Sequence, residues 1–172
     1  NQLEMLITLE KCTTMKEAAN IMNKNPSTIG RSLKSLEKEL QCCLFQYSKK
    51  QLALSPEGKL ILEYAHTFTK VIEELDLFLF PSSSQPAYHN WSEQQIEHPL
   101  MIRKKKNLSS AAEVLFVSQP SLSQMLNTLN AYCSFPIFET VRGGLHLTMQ
   151  GETLFIYIEK MHSIFRSIHQ DL

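Results

Sequence analysis

Shifted against itself by 93 positions without a gap, the chain matches itself. Ala18-Ala19 falls on Ala111-Ala112, Leu33 on Leu126, Leu36 on Leu129 and Phe45 on Phe138. The match continues through Leu52 and Leu54 on Leu145 and Leu147, Ser55 on Thr148, Gly58 on Gly151, and Tyr64 on Tyr157. Small, apolar and turn positions agree together, which is hard to obtain by chance. The period is too long for a solenoid repeat and suits a duplicated small domain. Between the copies, Pro81-Ser82-Ser83-Ser84-Gln85-Pro86 cannot sustain a helix or a central strand. The expected organisation is therefore one copy over 1–80, a connector over 81–91 and a second copy over 92–172, with Trp91 burying its ring as an anchor for the connector.

In the first copy, Leu3, Leu6 and Ile7 give a helical apolar face that ends near Cys12-Thr13. Thr14-Met15-Lys16-Glu17 is a capping-box pattern, in which the Thr hydroxyl and the Glu carboxylate satisfy free amides at a helix start. Ala18 and Ala19 keep this second, short helix thin on one flank, and Asn23-Lys24 marks a turn. Asn25-Pro26 then signals a third helix, an N-cap followed by a residue whose fixed φ suits the first turn. Ile29, Leu33, Leu36 and Leu40 form its buried stripe, and Ser27, Thr28, Arg31, Lys34, Ser35 and Lys38 its opposite side. Two short helices and a third, joined by tight turns, describe a helix-turn-helix, whose recognition helix sets N-terminal side chains against base edges in the major groove.

Leu44-Phe45 and Leu52-Ala53-Leu54 bracket the polar Ser48-Lys49-Lys50-Gln51, the pattern of a small hairpin, or wing, with a basic tip. Ser55-Pro56-Glu57 opens a further helix whose broad apolar face, from Leu60 to Leu79, needs a partner. The expected fold is mainly α with small β-wings: two tandem winged helix-turn-helix modules, each followed by a long dimerisation-type helix, about 56–79 and 149–171.

Seventeen basic and seventeen acidic residues cancel, so any nucleic-acid-binding face must come from placement. Arg31, Lys34 and Lys38 cluster, as do Lys49 and Lys50, and Arg103 to Lys106. The last run, Lys105 included, reads either as a solvated turn or as a phosphate-docking segment ahead of a helix. No apolar run reaches the length of a membrane span. The chain opens on Asn1 with no basic and apolar leader, so a trimmed, cytoplasmic chain without a signal peptide is expected. Cys12, Cys42, Cys43 and Cys133 lack metal-site spacing and read as reduced packing residues. The histidines show no ligand pattern beyond one pair seven apart, and no nucleophile elbow or phosphate loop is present. No metal, cofactor or enzymatic activity is expected.

The run AAEVLFVSQPSLSQML, from Ala111 to Leu126, resembles the DNA-binding domain of LysR-type regulators, in which paired Ala precedes a Ser-Gln-Pro that opens the recognition helix. The first copy is similar: Ala18-Ala19, SLKSLEKEL from Ser32 to Leu40, Leu44-Phe45, and Leu54-Ser55-Pro56-Glu57-Gly58 follow the family's signposts. The resemblance covers nearly the whole chain except the connector. It implies a bacterial, DNA-binding transcription regulator with Pro26, Ser27, Thr28 and Arg31 of copy one, and Gln119, Pro120, Ser121 and Gln124 of copy two, at the groove of double-stranded DNA. Lys50 and Arg142 would serve the wings. Gly30, Lys24, Tyr47, Gln124 and Thr140 depart from the family pattern, the last three by lacking an Arg. Copy one is therefore expected to supply more of the electrostatic affinity, and copy two to rely on Gln119, an amide suited to adenine.

In that family the long helix pairs antiparallel with a second copy to make a dimer, and an effector-sensing domain normally follows. A helix over 57–79 is about 35 Å long and an extended connector covers up to about 36 Å. One chain could thus imitate the family dimer as an internal pseudo-dimer reading an asymmetric operator. An intermolecular homodimer with four modules is the competing arrangement, and a degenerate winged-helix scaffold for protein–protein interaction is the competing function.

Overall fold

The computed structural model describes residues 2–48, 51–81 and 91–171, with Leu3, Tyr47 and Ser48 described in backbone only. The first copy contains α1 (Gln2–Glu10), α2 (Met15–Ile21), α3 (Pro26–Leu40), β1 (Phe45–Ser48), β2 (Gln51–Leu54) and α4 (Pro56–Leu79). The second repeats the order with α5 (Glu93–Lys105), α6 (Leu108–Val114), α7 (Gln119–Cys133), β3 (Phe138–Val141), β4 (Gly144–Leu147) and α8 (Met149–Asp171). The expected class, mainly helical with two small antiparallel wings, is present. The hairpins share one register: Phe45 faces Leu54 as Phe138 faces Leu147, and Ser48 faces Gln51 as Val141 faces Gly144. Most of the connector, 82–90, lies outside the described residues.

Two compact units form. One comprises Asn1–Lys70 and Arg166–Leu172, the other Val71–Phe165. Each long helix thus contributes to both units, because its far end packs in the unit of the other copy. In the first unit, Met5, Leu6 and Leu9 of α1 meet Ala18 and Ala19 of α2, Ile29, Leu33 and Leu36 of α3, and Ile61 and Leu62 of α4. Ile168, from the end of α8, packs against this core, and the Tyr64 hydroxyl donates to Asp171. In the second unit the core is Ile96 and Ile102, Ala111 and Ala112, Leu122, Leu126 and Leu129, with Leu154, Phe155, Ile158 and Met161 of α8. The end of α4 joins it: Leu75 is buried, Phe78 stacks on Tyr157 at 6.0 Å, and Glu74 accepts from Lys160 at 3.0 Å. Trp91 is buried and meets Tyr132 edge-on. All four cysteines are free thiols, and burial pushes that of Cys133 up to about 12.

The two copies start their long helices with the same device. Ser55 Oγ donates to the carbonyls of Cys43 and Leu44 and accepts from Gly58 N at 2.8 Å. Thr148 Oγ1 donates to Pro136 O at 2.7 Å and accepts from Gly151 N at 3.0 Å. A Cβ on Gly58 would lie 2.0 Å from Leu44 O, and one on Gly151 2.2 Å from Ile137 O. Only a residue without Cβ lets the backbones approach this closely. The strand is held from the other side by α3 and α7. Glu37 Oε1 accepts from Leu44 N at 2.8 Å, and Asn130 Oδ1, at the corresponding position, accepts from Ile137 N at 3.0 Å.

Two local expectations are modified. Thr14 caps α2 through Glu17 N, but the Glu17 carboxylate accepts from Thr13 N and Oγ1, one residue further back than a reciprocal box requires. The complete capping box is at Ser92, whose hydroxyl accepts from Gln95 N while the Gln95 side chain accepts from Ser92 N. Asn25 occupies the N-cap of α3 without a side-chain cap bond, so the rigid φ of Pro26 starts that helix.

This packing makes two expectations measurable. Gly58→Ala and Gly151→Ala each destabilise by about 1–3 kcal/mol or more, because the neighbour is backbone and cannot step aside. Gly30→Ala, with nothing within 4 Å and in a helix interior, gains up to about 1 kcal/mol. Urea unfolding measures both, and a loss at Gly30 equal to that at Gly58 would contradict the assignment. The second concerns His98, half-buried on α5 with Nδ1 buried and without a hydrogen-bond partner among the described residues. Burial holds its pKa below the ordinary value near 6.5. The unfolded chain therefore binds the proton more readily, so this stability is present above about pH 6.5 and is lost as pH falls. His98→Gln should flatten the decline in melting temperature between neutral and mildly acidic pH.

Candidate nucleic-acid interface

α3 separates its faces cleanly. Ile29, Leu33 and Leu36 are buried, while Pro26, Ser27, Arg31, Lys34, Ser35 and Lys38 are exposed and Thr28 is half-buried. Arg31 Nε donates to Ser27 O at 3.4 Å, which draws the guanidinium back toward the helix N-terminus. That is the end of a recognition helix that meets base edges. An open groove of about 590 Å³ adjoins it, lined by Ala19, Asn20, Asn23, Lys24, Asn25 and Thr28. Its amides and one cation are donors suited to phosphate oxygens or base edges.

α7 presents the same geometry with different chemistry. Leu122, Leu126, Leu129 and Cys133 face inward, and Gln119, Pro120, Ser121 and Gln124 are exposed. The helix carries no charged side chain from Gln119 to Cys133. Ser118 caps it, accepting from Ser121 N at 3.2 Å, and the Ser118 and Ser121 hydroxyls bond each other at 2.7 Å. The Ser121 hydroxyl is thus already engaged, and the amides of Gln119 and Gln124 carry the polar surface of the first turns.

The second wing turns through Arg142 and Gly143, with Arg142 exposed at the tip and Gly143 at φ 106°. Gly144 passes so close to Lys106 O that a Cβ would lie 2.4 Å from it, and Leu145 N donates to the same carbonyl at 2.8 Å. Leu52 N donates to Thr13 O at 2.9 Å at the corresponding place in copy one. Each wing is therefore hydrogen-bonded to the segment between the first two helices of its module. Lys49 and Lys50, the expected basic tip of the first wing, lie outside the described residues.

The run Arg103 to Lys106 divides. It forms the last turn and C-cap of α5. Arg103 binds Glu159 at 2.7 Å and lies over the Phe155 ring at 5.0 Å, so it braces α5 against α8. Lys104, Lys105 and Lys106 are exposed just before α6. The amide of Ser110 at that helix start is satisfied by Asn107 Oδ1 at 3.0 Å. Spacing alone did not reveal Arg103's partner, because Glu159 is on a different helix far along the chain. The tethers from Glu37 and Asn130 escaped for a related reason: the two side chains differ in charge, and only their shared position in the repeat marks them.

The sequence model of the bacterial regulatory helix-turn-helix proteins of the LysR family matches residues 1–59 and again 93–152. The HTH-type transcriptional regulator GalR of Pseudomonas putida is 19% identical over 171 residues, 99% of this chain and 43% of that protein. CzcR of Bacillus subtilis, another HTH-type transcriptional regulator, is 41% identical over 59 residues, 34% of this chain and 20% of that protein. Among solved structures, a LysR-family transcriptional regulator from Eggerthella lenta is 28% identical with a TM-score of 0.38, covering 40% of this chain and 99% of that one. CbnR, of the same family, is 23% identical with a TM-score of 0.41, covering 47% of this chain and 28% of that one. The chain spans less than half the length of these two curated relatives.

Proposed function

Since the chain belongs to the LysR family of bacterial regulatory helix-turn-helix proteins, we propose that it is a sequence-specific regulator that reads two unlike half-sites of double-stranded DNA with its two modules. The observation that carries this reading is that the family match falls on both modules of one chain, and not on one alone. α3 and α7 enter successive stretches of major groove. In copy one, Arg31 and Lys34 supply the charge that neutralises phosphates, with Pro26, Ser27 and Thr28 in the first turn. In copy two, Gln119 reads a base edge, Gln124 adds a second amide, and Arg142 and Lys105 meet the backbone from the wing and from the segment before α6.

The long helices supply the pairing that the family makes between two chains. Early residues of α4 meet the end of α8, as Tyr64 meets Asp171, and late residues of α4 meet its middle, as Glu74 meets Lys160. That order is what an antiparallel internal pair requires, and it supports a pseudo-dimer built from one chain. Because the recognition helices differ at most exposed positions, the operator is asymmetric. The protein-interaction scaffold is the weaker reading, since the family match extends through the recognition helices of both modules.

Binding measured by fluorescence anisotropy over a range of salt tests the division of labour. Arg31→Ala with Lys34→Ala lowers affinity and flattens the dependence of log affinity on log salt by about 0.9 for each phosphate that is no longer neutralised. Gln119→Ala leaves that slope alone and costs about 1–3 kcal/mol of discrimination at one base pair. Unchanged affinity and slope in the double variant would favour the scaffold. Footprinting that revealed a perfect palindrome would count against the asymmetric operator.

A further inference from the structure

Phe116, in the turn between α6 and α7, is 96% exposed and has φ 54°. Either property is unusual for a phenylalanine. Its ring gains nothing from contact with water, and a left-handed backbone crowds its Cβ against the next carbonyl. The turn itself demands that backbone, since Asn23 has φ 50° at the corresponding place in copy one. Asparagine is among the few side chains that adopt it readily. Position 116 is therefore held by a residue that serves neither the turn nor the core of its unit, and strain of this kind, kept at a fully exposed site, points to a contact outside the chain. Phe116 stands two residues before Ser118, the N-cap of α7, and three before Gln119. Val114, two residues earlier in the chain, is 43% exposed.

We propose that Phe116 is a DNA-contacting residue of copy two, packing its ring against apolar carbon of the duplex beside the bases that Gln119 faces. This rests on the DNA-binding reading given above. The apolar carbon is a thymine methyl or a deoxyribose face, and phenylalanine is among the side chains that meet thymine methyls in the major groove. DNA is the occupant because Phe116 leads directly into the N-cap and first turn of the recognition helix, and because α7 carries no cation to anchor it. An apolar contact there supplies affinity that Arg31 and Lys34 supply in copy one.

Phe116→Asn installs the residue that copy one carries at this turn. The variant should melt about 2–4 °C higher as the strain is relieved. It should bind a duplex enriched from a random-sequence pool by the wild-type chain about tenfold more weakly, the order expected for one buried ring. The salt slope should not change, because the same phosphates stay neutralised. Phe116→Tyr, which keeps the ring, should keep the affinity. Replacing thymines of that duplex one at a time by deoxyuracil separates the two sources. A loss seen with the wild type and absent with Phe116→Asn identifies a methyl, and a loss with neither identifies the sugar. Unchanged affinity in Phe116→Asn, or a lowered melting temperature, overturns the proposal. If the wild-type chain enriches no duplex, the DNA-binding reading itself fails and this contact fails with it.

Discussion

The long helix of each copy can begin only where a glycine lets its backbone touch the carbonyl that leads into the wing. Gly58 against Leu44 and Gly151 against Ile137 leave no room for a methyl group, and a hydroxyl at Ser55 or Thr148 ties the same carbonyls. This contact sets the direction in which a helix of six or so turns leaves its module, about 35 Å of rod aimed from one short anchor. The far ends of these helices are themselves packed, Ile168 of α8 against the first core and Leu75 of α4 buried in the second. The broad apolar face from Leu60 to Leu79 requires a partner, because a helix with such a stripe must bury it, and the proposed pairing of α4 with α8 would supply one.

The two modules share this frame and differ where they meet solvent. α3 carries Arg31, Lys34 and Lys38 on its outer face, whereas α7 is uncharged along its whole length. An interface built on α3 draws on phosphates and is screened by salt, while one built on α7 depends on amides and apolar contact. A neutral total of seventeen against seventeen is thus compatible with nucleic-acid binding, since some of the acidic groups are paired: Glu74 of α4 with Lys160 of α8, and Glu159 of α8 with Arg103 of α5.

Much of the fold was legible because the repeat doubled every local signal. Pro26 and the Ser-Gln-Pro run opened the recognition helices, Ala18-Ala19 and Ala111-Ala112 announced close helix packing, and the Leu stripes gave the buried faces. Long-range partners were not legible. Arg103 read as part of a basic run because its carboxylate is far along the chain, and Asn25 read as a hydrogen-bonding cap although its side chain makes no such bond. The strain at Phe116 was hidden too, since a left-handed residue is evident from sequence only when it is glycine or asparagine, as at Asn23. Of the candidate contacts, the exposed face of α3 followed from helical spacing and that of α7 from the family resemblance, whereas the engagement of Ser121 by Ser118 needed coordinates.

The proposed pseudo-dimer would do with one chain what two chains do in a family dimer. The mass of the protein bound to a duplex carrying a single operator, measured by native mass spectrometry or light scattering, tests this most directly. One chain per duplex is the expected result, with both modules protected on the DNA. Two chains on one operator, with one module of each left off the DNA, would contradict it.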